Sequence, residues 1–236
     1  MNVVTQVRAS YDQLAMAQKP GAGVPFYMRA VNRPLGRAIA AVAGRLGATP
    51  DQMTATSGLV FVAGMTVLVL FDPSVPVAVV VTVLLQLAFA FDSADGQLAR
   101  LTGTGSVAGE WLDHVVDAAR LLALHLGVAV CLALHTGVDS AWLLLPLAFA
   151  GVASVRFFAQ ILAEQLDSSA AAPSPAQSRG WIQTPADAGV INAVFLLWPW
   201  TDVFLAAYVV LAAANLVLLL ATLSRKHRAL RNGVSA

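Results

Sequence analysis

Asp92 and Asp95 stand three residues apart and Asp113 and Asp117 four apart, in a chain of 236 residues of which only 11% are charged. On helices those spacings align Asp92, Asp95, Gly96 and Ala99 along one face, and Gly109, Asp113 and Asp117 along another. The connection Thr102 to Ser106 is short and carries two glycines, so the two helices are expected to run antiparallel with their acidic faces converging. Carboxylates gathered in apolar surroundings repel one another unless a cation sits among them, and ionisable groups at membrane depth are costly enough to mark a functional site. All-oxygen ligation without clustered His or Cys selects a hard ion, Mg²⁺ or Mn²⁺, over zinc, and the site is expected to hold one or two such ions. Gly96, Gly109 and Ala99 remove bulk beside the acids, while Arg100 supplies the kind of cation that grips phosphate. Together these residues predict transfer of a phosphate-linked lipid group.

The elements that position them lie in a bilayer. With 58% hydrophobic residues and a mean hydropathy of +0.73, the composition excludes a soluble globular protein and predicts an all-α, polytopic membrane protein. Apolar stretches able to span, at about 20 residues apiece, lie near 52–71, 75–99, 107–135, 141–165, 187–200 and 203–223, giving six transmembrane helices. The fifth is the shortest, and a re-entrant or buried segment is its alternative. Arg and Lys collect before the first span, around the second and fourth connections, and after the last span. The intervening turns at Asp72, Asp139 and Thr201 have none, so both termini are expected to be cytoplasmic and the span number even. Met1 to Pro20 is polar, and the chain is expected to insert in the cell membrane without cleavage of a signal peptide. The expected division is a cytoplasmic N-terminal segment over 1–48, a six-helix catalytic domain over 49–224 and a basic cytoplasmic tail over 225–236.

Within the first segment, Met28, Val31, Leu35, Ile39, Val42 and Leu46 recur at helical spacing beside a row of Arg29, Arg33 and Arg37. This pattern predicts an amphipathic helix in the membrane interface, touching anionic lipid and kinked or restarted at Pro34. Residues 168–185, rich in Ser, Ala and Pro, read as a mobile linker, or as a lid in which Arg179 or Trp181 closes over substrate. The single cysteine, Cys131, reads as a packed apolar residue.

Written as D-x2-D-G-x2-A-R-x8-G-x3-D-x3-D, residues 92–117 resemble the complete signature of the CDP-alcohol phosphotransferase family of integral membrane enzymes, with all eight fixed positions matched. The N-terminal amphipathic helix, the six spans and the stretch from Thr49 to Thr54 are also similar to that family. Asp51 stands where the family usually has Asn. The resemblance implies that Asp92, Asp95 and Asp113 bind a pair of metal ions, with Asp117 sharing one. It also implies that Gly96, Ala99, Arg100 and Gly109 line the pocket of a CDP-linked donor, CDP-diacylglycerol or another CDP-alcohol. Asp117 would take the proton of an acceptor hydroxyl, and CMP would leave. Asp51 and Thr54 have two readings, donor binding or capping of the first span. The family further implies a homodimer, and the charge distribution described above places the active site at the cytoplasmic side.

The acceptor is read less directly, because the signature concerns only the CDP part of the donor. Asp117 is followed by Ala118 and Ala119, which fits neither the glycerol-phosphate nor the inositol-phosphate pattern of the family. Arg120, Arg156 and Arg179 are the candidates for binding an acceptor, and they hint at a polyol or phosphorylated polyol such as inositol phosphate or glycerol phosphate. For Arg156 the alternatives are snorkelling or pairing with Glu164. His114, about 100° around its helix from Asp113, is expected to face elsewhere. Trp111, Trp181, Trp198 and Trp200 read as interfacial anchors or packing. The basic run from Arg225 to Arg228 suits a lipid surface and not nucleic acid. A transporter, a cation channel or a non-catalytic relative are the competing classes. The acids cluster at one edge, no inverted repeat is visible and no signature position is lost, all of which disfavour them.

Overall fold

A computed structural model describes residues 3–16, 24–166 and 180–233. Helices α1 (Val3–Met16) and α2 (Arg33–Arg45) precede the long apolar helices α3 (Pro50–Leu70), α4 (Val75–Thr102), α5 (Val107–His135) and α6 (Leu144–Leu166). A short α7 (Ala188–Ala193) and the long α8 (Thr201–Gly233) complete the fold, and among the described residues there is no strand.

Each long helix begins and ends where its sequence dictates. Thr49 caps α3 in a reciprocal capping box with Gln52, and Pro50 occupies the first turn. Of the two capping candidates Thr49 is therefore the cap, which leaves the Asp51 side chain for other work. Gly103, at φ 68°, ends α4 in the left-handed conformation, and Ser106 accepts from the Gly109 amide to start α5. The four intervening residues, Gly103 to Ser106, allow the acidic end of α4 to turn directly into that of α5.

Among the described residues, five helices are long and apolar enough to cross a bilayer: α3, α4, α5, the Ser140–Leu166 stretch containing α6, and α8. The fifth of the six expected spans is instead a shorter apolar helix, Ala188–Leu197, whose second half is a 3₁₀ turn. At 1.5 Å per residue it extends about 15 Å, against a hydrocarbon core of about 30 Å. The polar residues Gln183, Asp187 and Asn192 and the prolines at 185 and 199 explain why no long helix forms there. Asn192 Nδ2 donates to the Leu85 carbonyl and Gln86 Nε2 to the Gly189 carbonyl, which fixes the start of this segment against the middle of α4.

The bundle is built inside out, as lipid requires. Leu59, Val62, Val79, Val83, Val130, Val210, Val217 and Leu220 are exposed on the long helices, while Thr54, Ser57, Asp95, His125, Asn192 and Asn215 are buried. An apolar core of Phe61, Leu68, Leu85, Val128, Phe149, Trp198, Phe204 and Tyr208 fills its centre. Cys131 is buried in this core, its thiol directed at the Leu68 carbonyl. Trp198 is packed inside, whereas Trp111, Trp181 and Trp200 are exposed.

The amphipathic helix is present, and one face of it packs on α4. One wide π-turn, Met28–Asn32, precedes Pro34, so the disturbance expected at that proline takes the form of a register change with helical backbone continuing through it. Gly36 lets α2 approach α4: a Cβ there would lie 2.8 Å from the Ser93 side chain. Gln97, buried on α4, donates to the Arg33 carbonyl at 3.1 Å. Asp187 then ties the entry to this helix to α7, accepting from the Met28 amide at 2.9 Å and the Gly189 amide at 3.0 Å. Burial pushes its carboxyl above the ordinary value, and those amide bonds oppose the shift. Helix α1, which the polar N-terminus did not announce, packs on α2, with Leu14 buried and Arg37 over the Tyr11 ring.

Candidate active site

Asp92 and Asp95 lie on α4 and Asp113 and Asp117 on α5, and the tight turn at Gly103 brings the two faces together. Oxygens of Asp92, Asp95 and Asp113 lie within 4.8 Å of one another, and Asp113, His114 and Asp117 form a second such group. Sharing Asp113, the two groups give one continuous array. Hard cations need several oxygens converging at this scale, so the donor set fits a hard divalent cation.

The elements around the array hold it in place. Buried Thr54 donates from Oγ1 to Asp95 Oδ2 at 2.7 Å, and the Gly96 amide donates to Asp95 Oδ1. One turn along α3, Ser57 donates to the Ala88 carbonyl at 2.7 Å and accepts from Arg120. The same guanidinium forms ion pairs with Asp92 and Asp117. Arg120, expected as an acceptor ligand, is thus engaged with the acids themselves. Its signal in the sequence was the i, i+3 spacing from Asp117.

Two cavities meet at the carboxylates. An open cleft of about 510 Å³ is bordered by Asp51, Thr54, Asp95, Gly96, Ala99, Arg100, Gly109 and Asp113, which gathers every candidate donor-binding residue. A Cβ at Gly96 would meet only the Arg100 guanidinium, at an ordinary 3.6 Å, so its glycine serves the space of the cleft and not helix packing. At Gly109 a Cβ would lie 3.2 Å from both Asp51 Oδ1 and Ser106 Oγ, so a side chain there would require these groups to give by a few tenths of an ångström. His114 and Glu110 also border this cleft, with His114 Nε2 4.0 Å from Glu110 Oε1. The 100° offset from Asp113 was expected to turn His114 away, but the cleft is broad enough to reach both faces.

On the other side of the array a cavity of about 250 Å³ is bordered by Asp92, Asp117, Arg120 and Arg156, with Phe61, Leu85, Leu121, Leu124 and Ile191 as apolar walls. Arg156, on α6, donates to Gln183 Oε1 at 3.2 Å, and Asn215 Nδ2 holds the Pro185 carbonyl at 2.8 Å. The expected Glu164 partner instead accepts from Gln160. The polar groups behind this cavity, Gln183, Asn192 and Asn215, escaped sequence reading because isolated amides in apolar runs carry no spacing signal. Arg179 lies outside the described residues, as does most of the 168–185 linker, while Gly180–Ala186 forms 3₁₀ turns with Trp181 exposed.

An all-helical fold of membrane-capable helices, with converging carboxylates between a polar cleft and a small inner cavity, is an arrangement compatible with a membrane transferase of phosphate-linked groups. The chain matches the family model described as CDP-alcohol phosphatidyltransferase over residues 48–223, and it belongs to that family. It is accordingly an enzyme of this class, and the family is generally divalent-metal dependent. Its fold is similar to the crystal structure of Mycobacterium tuberculosis phosphatidylinositol phosphate synthase with CDP-DAG bound. The two share 24% identity over 83% of this chain and 93% of that chain, with a TM-score of 0.58. No curated protein matches the chain.

Proposed function

We propose that this protein transfers the phosphatidyl group of CDP-diacylglycerol to the hydroxyl of a small acceptor alcohol at the cytoplasmic edge of the cell membrane, releasing CMP. The observation that carries this reading is the partition formed by the acids: Asp95 and Asp113 border the polar cleft, and Asp92 and Asp117 border the inner cavity. The donor's nucleotide and pyrophosphate occupy the cleft, where Gly96, Ala99 and Gly109 leave room and Arg100 faces the phosphates. Asp92, Asp95, Asp113 and Asp117 would hold divalent ions, which would supply charge neutralisation of the pyrophosphate and the leaving CMP. Asp117 accepts the proton of the acceptor hydroxyl. The freed oxygen attacks the lipid-side phosphorus, and the pyrophosphate P–O bond breaks toward CMP.

Arg156 supports an anionic acceptor. Its guanidinium lies on the inner cavity, and among the described residues the neutral Gln183 is its hydrogen-bond partner. A half-buried cation with a neutral partner favours a phosphate, so a phosphorylated polyol such as inositol phosphate or glycerol phosphate is the acceptor class supported.

The test is CMP release by purified protein from CDP-diacylglycerol with Mg²⁺ or Mn²⁺, across inositol 1-phosphate, glycerol 3-phosphate, inositol and serine. Release is expected with a phosphorylated acceptor and is expected to fall at least a hundredfold in Asp117→Asn, on the order of a general base's contribution. Equal release by that variant would remove Asp117 from the chemistry. Release with the unphosphorylated acceptors alone would remove Arg156 from the acceptor site.

A further inference from the structure

Arg120 stands at an unusual place for a cation: it contacts two of the four acids of the array from the inner-cavity side. The guanidinium is held in a fixed fork. One nitrogen donates to Ser57 Oγ on α3, and the other serves both Asp92 Oδ1 on α4 and Asp117 Oδ1 on α5. Ser57 is itself fixed by its bond to the Ala88 carbonyl. The side chain is only 12% exposed, so its charge is poorly screened by water. It therefore links three helices through groups that lie in or beside the catalytic array.

Resting on the metal-dependent reading above, we propose that Arg120 is a positioning residue that acts as the internal counter-cation of the array and competes with divalent metal for Asp92 and Asp117. Carboxylate oxygens that accept from a guanidinium have fewer lone pairs and less free charge to offer a metal. The same contact keeps Asp92 and Asp117 aimed at one point while no ion neutralises them, which prevents the repelling acids from splaying. The affinity of the site for metal is thereby lowered, and occupancy becomes dependent on a donor whose phosphates add ligands of their own. Arg100, on the cleft side, makes no ion pair with these acids among the described residues and has a separate role.

The test is direct binding of Mn²⁺ to the purified full-length protein in detergent, followed by electron paramagnetic resonance in the absence of donor and acceptor. Arg120→Gln is expected to tighten Mn²⁺ binding by about tenfold, the size expected for removing one nearby charge at an effective dielectric between water and protein interior. Arg120→Lys, which keeps the charge without the fork, is expected to fall between wild type and Arg120→Gln. Melting temperature with chelator present separates competition from collapse, since loss of the three-helix link should lower it in Arg120→Gln and excess Mn²⁺ should restore it. Unchanged or weaker Mn²⁺ binding in both variants would overturn the assignment to Arg120 while leaving the metal site intact. Absence of Mn²⁺ binding in the wild type would overturn the metal-dependent reading itself.

Discussion

Thr54 holds Asp95 by a single hydroxyl, and that hydroxyl is the contact through which α3 enters the carboxylate array. Thr54→Val preserves shape and removes the donor, leaving one oxygen of a buried carboxylate without its partner. A hydrogen bond to a charged group is worth about 1.5–3 kcal/mol, so kcat/KM for CMP release is expected to fall by roughly ten- to a hundredfold. Wild-type activity in that variant would show that Asp95 is positioned by other means. The four acids, the small residues and Arg100 were legible from spacing, because i, i+3 and i+4 fix which residues share a helix face. The cross-links among those faces were not: whether Thr54 reaches Asp95, or Arg120 reaches Asp92, depends on how three helices are rotated about their axes. His114 illustrates the limit, since an angular offset on one helix does not say how wide the adjoining cleft is.

Among the elements, the α2–α4 contact depends on the absence of a side chain at Gly36. Gly36→Leu would drive a branched side chain into Ser93 and Gln97 and is expected to cost about 1–3 kcal/mol, read as a lower melting temperature in detergent. An unchanged melting temperature would mean that α2 floats on the bundle and does not grip it. Asp187→Ala removes the acceptor for both the Met28 and Gly189 amides and is expected to cost about 1–2 kcal/mol by the same measurement, with Asp187→Asn retaining part of it. The long helices were readable because length and hydropathy suffice for them. The segment from Gly180 to Leu197 was only half readable: its apolar character was visible, but its division at Asp187 into a cap and a short helix follows from contacts with residues about 160 positions away in sequence. Helix α1 carried too weak a periodicity to be noticed and gains its place by packing Leu14 against α2 and α4.

For the whole molecule, the orientation proposed places the Gly103 turn and α2 at the cytoplasmic side and the α3–α4 and α5–α6 turns outside. In a Cys131→Ala background, Asp139→Cys is expected to react with an impermeant maleimide on intact cells, and Leu46→Cys only after permeabilisation. The reverse pattern would invert the topology and move the site to the other face. A different consequence follows from the wall of carboxylates between the cleft and the inner cavity. On the proposed reading, nucleotide and acceptor lodge in separate rooms, so neither must leave before the other arrives, and no side chain needs to carry the lipid group in between. Initial rates with both substrates varied should give intersecting, not parallel, double-reciprocal lines. A chiral phosphorus in the donor should emerge with its handedness reversed, the mark of one direct handover through the partition.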